Sequence, residues 1–304
     1  MHSRMQSVKE KSPGYKKASY AIKFLLSAAL LYFIFRQIDF QAAIRQAGKL
    51  PASSAALIML LSLVRHFVQI NNWRFALHMN TAYEYRAKEV LASYMVALPL
   101  RFALPGGHAS FAKVFYLRNS SLLASLISTT TERLFMTWST WTFAAMAAYF
   151  VFPDLSPGIR IGMILFAAFM PFWALLIMAG NKKWRSYIPQ YSRQAPRMML
   201  LQIANTILMY AQYYLILNEL GKLGAIETWL AMALTNISNS IPITISGLGL
   251  REGFAIHFLK SYGFGAEQAV AATLSLFFFH DVIPALAGAV VLLRAKRPAR
   301  LTKP

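Results

Sequence analysis

Apolar residues gather along this chain into six long runs, at 20–35, 53–77, 122–150, 161–179, 198–217 and 266–293. A helix rises 1.5 Å per residue and a hydrocarbon core is about 30 Å thick, so about 20 residues make one crossing. Each run is predicted to be a membrane-spanning helix, the first drawing on its flanking residues to reach full thickness. Two more regions, 90–117 and 225–259, are apolar but interrupted. Pro99, Pro105, Gly106 and Gly107 break the first, and Pro242, Gly247 and Gly249 break the second. Proline removes a helical hydrogen bond and glycine tolerates unusual dihedrals, so each region reads as two half-length helices around a non-helical turn. Lipid rejects unpaired backbone groups, so such a turn must face protein or water. The expected fold is an all-α polytopic membrane protein, with about six full spans and two broken or re-entrant helical hairpins.

Composition agrees with that pattern. Hydrophobic residues make up 57% of the 304 and charged residues 14%, with a mean hydropathy of +0.44. A soluble globular chain carries about 25% charged residues. Cysteine is absent, which excludes disulfides, thiolate metal sites and thiol catalysis. The net charge of +20 would point to nucleic acid in a soluble protein. Here the basic residues lie mainly in short stretches between apolar runs, where lipid headgroups and the membrane potential explain them better.

Those basic stretches set the expected orientation. The N-terminal Arg4, Lys9, Lys11, Lys16 and Lys17, the connector Lys182, Lys183, Arg185, Arg193 and Arg197, and the tail Arg294, Lys296, Arg297, Arg300 and Lys303 hold 15 of the 31 basic residues with one acidic residue, Glu10. All three are expected in the cytoplasm, on a multi-pass protein of the inner membrane. Residues 1–17 then form a basic N-terminal segment, 18–293 one membrane domain and 294–304 a basic tail. The first run is retained rather than cleaved, since Arg36, Gln37 and Asp39 follow it without a small-residue cleavage pattern. Counting crossings gives halves 18–150 and 159–293 with the same order of elements in opposite orientation. An inverted repeat and a coincidence of element order both produce that result. Broken segments at matching positions of inverted halves point to a transport site.

Polar residues within the apolar runs are the candidate chemistry. Around the second break stand Asn239, Ser246, Arg251 and Glu252, where the positive end of the following half-helix suits a phosphate oxygen. Glu252 fits two roles there, a structural cap paired with Arg251 or a part in binding. Around the first break stand Arg101, His108, Lys113 and Arg118, a cationic group suited to a phospholipid or to headgroup snorkelling. Glu132 and Arg133 fall about 15 to 16 Å along the 122–150 run, near mid-membrane, and each needs a partner on another helix. His280 and Asp281 lie about 21 Å along the last run, and Asp281 can pair with Arg133 or Arg101. Arg65 is the deepest of the polar residues in the second run. No zinc grouping, nucleotide loop or paired-carboxylate donor motif is present, and no cofactor or metal is called for.

The strings "ALPGGHASFAKVFYLR", "TTTERL" and "NSIPITISGLGLREGFAIHFLKSYGFGAEQAVAATLSLFFFHDVIPALAGAV" resemble the flippase-like membrane domain related to the transmembrane region of lysylphosphatidylglycerol synthases. That resemblance spans nearly the whole chain. It implies about eight membrane segments with re-entrant helices and movement of lipids or lipid-linked molecules between leaflets. His108 stands where the family usually has Glu, Ser246 where it often has Gly, and His280 and Asp281 where an arginine is common. No aminoacyl-transfer domain follows Lys303, so lipid lysylation is not expected of this chain. The reading is a translocator of an anionic phospholipid or lipid-linked intermediate, with membrane lipids as partners and no nucleic acid. Two rivals are an accessory protein feeding a separate biosynthetic enzyme, and an intramembrane lipid-modifying enzyme.

Overall fold

In a computed structural model, residues 40–81, 83–103, 109–118, 122–241 and 249–294 are described. The run 20–35, the segment 1–17, the tail 295–304 and Pro105, Gly106, Gly107, His108, Pro242, Ser246 and Gly247 lie outside them. Every regular element among the described residues is helical.

A short helix, α1 (Phe40–Ala47), precedes α2 (Ala52–Leu77) and packs against α11 (Ala266–Phe277). Helix α3 (Ala87–Ala103) holds Pro99 in its interior. After the break come α4 (Ala109–Ala112) and a 3-10 turn, Lys113–Tyr116. The return limb comes back beside its own start, because Arg118 pairs with Glu89 at 3.6 Å in the first turn of α3. Helix α5 (Leu122–Val151) follows.

The predicted span 161–179 is instead two helices, α6 (Pro157–Ala168) and α7 (Met170–Gly180), bent by 58° at Phe169. Pro171 is the cause, since it has no N–H for the ladder. The Phe172 N–H turns to the Phe169 carbonyl, which strips the Ala168 carbonyl of its regular donor. The Trp138 indole fills that position at 2.9 Å, and the Tyr191 hydroxyl donates to the Pro171 carbonyl at 2.8 Å. The bend survives in an apolar setting because neighbouring helices satisfy it.

Helix α8 (Ile188–Gly221) starts well before the predicted residue 198 and carries Pro196 within it. At 34 residues it is about 51 Å long, so Arg193 and Arg197 sit on a helical extension rather than in a loop. Then come α9 (Ala225–Asn236), a 3-10 turn at Ile237–Ser240, and, after the second break, α10 (Leu250–Lys260). Phe264, just beyond α10, lies against Gly221, and Gln268 donates to the Leu220 carbonyl at 2.7 Å, so the chain after α10 is back at the end of the bundle where α9 begins. Helix α11 continues through a π turn (Phe278–Val282) into α12 (Ile283–Arg294).

Helices α2 and α8 run antiparallel, tied by Ser54 to Glu219 at one end and Gln69 to Gln202 further along. The α3 segment therefore starts at the Leu77 end of the bundle and the α9 segment at the opposite, Gly221 end. Their packing is crossed between the halves: α3 lies on α12, and α9 lies on α5. Gly288 makes the first contact possible, because a Cβ there would strike the Met95 carbonyl and meet Pro99 at 2.8 Å. Small residues at such crossings let backbones approach closely in membranes.

Burial is inverted relative to a soluble protein. Phe67 is 67% exposed while its neighbour His66 is 8% exposed, and Leu60, Leu63, Phe166, Ile177, Leu200 and Leu293 also face outward. Three helical stretches among the described residues, Ala52–Leu77, Arg185–Gly221 and Ala266–Arg294, are long and apolar enough to cross a membrane; the bent pair makes four. Helix α5 has the length at 30 residues but is not among them. Six full spans are therefore not found among the described residues.

Candidate functional site

The polar side chains occupy a belt between two apolar clusters. One cluster holds Trp73, Leu77, Tyr94, Phe135 and Met198; the other holds Ile58, Tyr213, Ile216, Leu217 and Ala255. Between them α2 presents Ser62, Arg65, His66 and Gln69, while α8 presents Gln202, Asn205, Thr206 and Gln212, all buried. Within each set the positions are related by steps of three, four or seven residues, so each set lies on one helical face.

Arg65 is the buried charge at the centre. Its Nε donates to Asn205 Oδ1 at 3.2 Å and a terminal nitrogen donates to Gln212 Oε1 at 2.7 Å. Gln212 in turn donates to the Ile58 carbonyl and to Ser62 Oγ, and Gln69 and Gln202 exchange hydrogen bonds beside it. Amide dipoles thus hold the guanidinium, and among the described residues no carboxylate contacts it. Asp281 acts on Arg65 from further away.

Asp281 itself pairs with Arg101 at 3.6 Å, joining α3 to the π turn. Their side chains are 24% and 34% exposed, so this pair is only partly buried. The adjoining contact explains the π turn. Pro284 has no N–H to give the His280 carbonyl four residues earlier. His66 Nε2–H donates there at 3.0 Å, and in the neutral ring Nδ1 then accepts from the Tyr94 hydroxyl at 2.8 Å. The His66 and His280 rings stack with centroids 4.5 Å apart. π turns of this kind recur at functional sites.

Two further ion pairs are closed. Lys113 on the return limb is buried against Glu132 of α5, with its ammonium 3.6 Å from the Trp73 ring centroid. The Trp73 indole is fixed by Ser93 at 3.0 Å. Arg251 pairs with Glu252 at 3.0 Å and lies over Phe277. The other Glu252 oxygen accepts the Gly249 N–H at 2.6 Å, which caps α10. Gly249 has φ 90°, a conformation that disfavours any side chain. Both oxygens of Glu252 are therefore engaged.

The predicted residues thus separate into groups. Arg101, His280 and Asp281 converge at the π turn; Lys113 and Glu132 pair; Arg251 and Glu252 pair. Arg133 lies beside Phe111, with its guanidinium 5.9 Å from the ring centroid, so Arg101 rather than Arg133 is the partner of Asp281. Arg118 is bound to Glu89 at the bundle end, and Asn239 donates to Asn236 at 3.0 Å. Tyr94, Gln202, Asn205 and Gln212 were not singled out from sequence. Their signal was available: Gln202, Asn205 and Thr206 at spacings of three and four within an apolar run mark a polar face turned inward. No group of three or more His, Cys, Asp or Glu that could hold a metal occurs among the described residues.

An apolar exterior, a hydrogen-bonded polar belt and broken helical segments at both ends define a multi-pass helical membrane protein with a charged interior. The chain belongs to the family described as the lysylphosphatidylglycerol synthase TM region, which matches residues 20–288. That family is the flippase-like membrane module, distinct from the synthase domain, and it places the chain among lipid-translocating proteins of the inner membrane. No curated protein matches the chain.

Proposed function

We propose that this protein moves an anionic phospholipid or lipid-linked intermediate between leaflets, gripping its headgroup at the Arg101–Asp281 pair. The partial exposure of that pair carries the reading, because among the described residues the Lys113–Glu132 and Arg251–Glu252 pairs are buried. A phosphate competing with Asp281 for Arg101 would release the π turn from α3, coupling headgroup arrival to the crossed contact between the halves. Arg65 behind it supplies a second positive field in a low-dielectric setting. In this reading the α3 and α9 segments are re-entrant hairpins of an inverted repeat, entering from opposite faces. Both termini then lie in the cytoplasm, where Lys182, Lys183 and Arg185 and the basic helical extension with Arg193 and Arg197 also fall.

Reconstitution with fluorescent phosphatidylglycerol in vesicles, followed by chemical quenching of the outer leaflet, tests the reading. Transfer by the wild-type protein should fall roughly 10- to 100-fold in Arg101→Gln, the size of a hydrogen bond to a charged group of about 1.5–3 kcal/mol. No transfer by well-folded wild-type protein would overturn translocation. Lipid-dependent capture of a biosynthetic enzyme without transfer would then favour the accessory role, and chemically altered lipid the enzymatic one.

A further inference from the structure

Beside the second broken segment, a cleft of about 270 Å³ opens between α5, α6, α9 and α10. Its floor is the alanine row Ala144, Ala145 and Ala148 of α5, and its walls include Met163, Phe166 and Phe258. At one end Trp141 donates its indole hydrogen to Ser240 at 2.9 Å, where the 3-10 turn carries Asn239. The lining is almost wholly apolar, so water entering it finds few hydrogen-bond partners. A dry void of that size forfeits dispersion contacts on every wall. Phe166 at 60% and Met163 at 40% exposure place its mouth on the outward apolar surface, where the surrounding medium is hydrocarbon.

We infer that this cleft seats one unbranched acyl chain of a phospholipid whose glycerol end rests at the Asn239–Ser240 turn. Small methyl side chains make a smooth, narrow floor suited to a run of methylenes. The regularly spaced methyl branches of an isoprenoid would meet that floor. The Trp141–Ser240 pair is amphipathic and stands where the chain would meet its polar end. The inference deepens the translocation reading and rests on it for the identity of the lipid: the cleft would hold the tail in protein while the head moves through the belt.

The test uses the full chain in phosphatidylethanolamine/phosphatidylglycerol vesicles doped with phosphatidylglycerol bearing a mid-chain diazirine. Photolysis should place adducts on peptides containing Ala144 to Ala148, Met163 and Phe258. Ala148→Trp should reduce them roughly tenfold, equal to a 1.4 kcal/mol change in occupancy, whereas Leu60→Trp on the outer face of α2 should not. Phe258→Ala, which widens the cleft, should raise labelling and so keeps the test decisive if Ala148→Trp fails to fold. Uniform labelling unaffected by these changes would overturn the inference. So would stronger labelling by a diazirine-bearing isoprenyl phosphate, or crosslinks from the cleft to residues 1–39 or to a second copy. Leaflet transfer measured on the same vesicles separates the two readings: transfer with an unlabelled cleft removes only this one, and labelling without transfer removes only translocation.

Discussion

The Lys113–Glu132 pair gives the most direct measure of what holds the first broken segment in place. Both residues are about 3% exposed, and the only other close partner described for the ammonium is the face of Trp73. Glu132→Gln leaves that cation without its counter-charge in a desolvated site. Removing one member of a buried pair costs about 3–5 kcal/mol; the cation–π contact with Trp73 is present with or without Glu132 and leaves that figure unchanged. Replacing both, as Lys113→Met with Glu132→Leu, removes both charges and their desolvation together, so it should cost far less than the sum of the single changes. Thermal unfolding in detergent should show losses of about 6–10 °C for the single variants, at roughly 2 °C per kcal/mol for a chain this long. The double variant should recover most of that loss, with a coupling energy above about 2 kcal/mol. Additive losses, or single variants within about 1 °C of wild type, would refute the argument that this pair clamps the return limb to α5.

Three other outcomes follow from the packing. Gly288→Val should separate α3 from α12, since its side chain strikes the Met95 backbone and Pro99; lower yield of folded protein and a melting temperature reduced by several degrees are expected, with Ala285→Gly nearly silent by comparison. Trp138→Phe removes the donor to the Ala168 carbonyl at the α6–α7 bend and should cost about 1–3 kcal/mol, measured by denaturant titration in micelles. Gly249→Ala forces a side chain into φ 90° and should cost about 1–3 kcal/mol while disturbing the Glu252 cap, which hydrogen exchange at the first turn of α10 would report.

The apolar runs made the helices legible, because spanning length and backbone satisfaction leave few alternatives in a membrane. Helix α2 was expected at 53–77 and lies at Ala52–Leu77; α5 was expected at 122–150 and lies at Leu122–Val151. The bend at Phe169 was missed because Met170, Pro171 and Phe172 sit inside an unbroken apolar run. Hydropathy registers composition there and is blind to a missing N–H. The long start of α8 was hidden by its basic residues, which read as a connector although Pro189 in its first turn favours helix initiation. At the site, charged residues drew attention and neutral amides did not. Arg101 and Asp281 were therefore anticipated, while Gln202, Asn205, Gln212 and Tyr94 were not.

Those amides explain why a positive charge can remain in the interior without being cancelled by a contacting carboxylate. Lys113 with Glu132 and Arg251 with Glu252 are neutral as pairs, and Asp281 offsets Arg101. Among the described residues Arg65 has no contacting carboxylate and feels only the more distant field of Asp281. Asn205 and Gln212 satisfy its donors but carry no net charge, so they lower the penalty of burial while preserving the outward field. A contacting carboxylate would have stabilised the arginine more and attracted an anion less. In the translocation reading proposed above, one negative headgroup completes the belt, whereas in a structural ion-pair network the charges sum to zero before any ligand arrives.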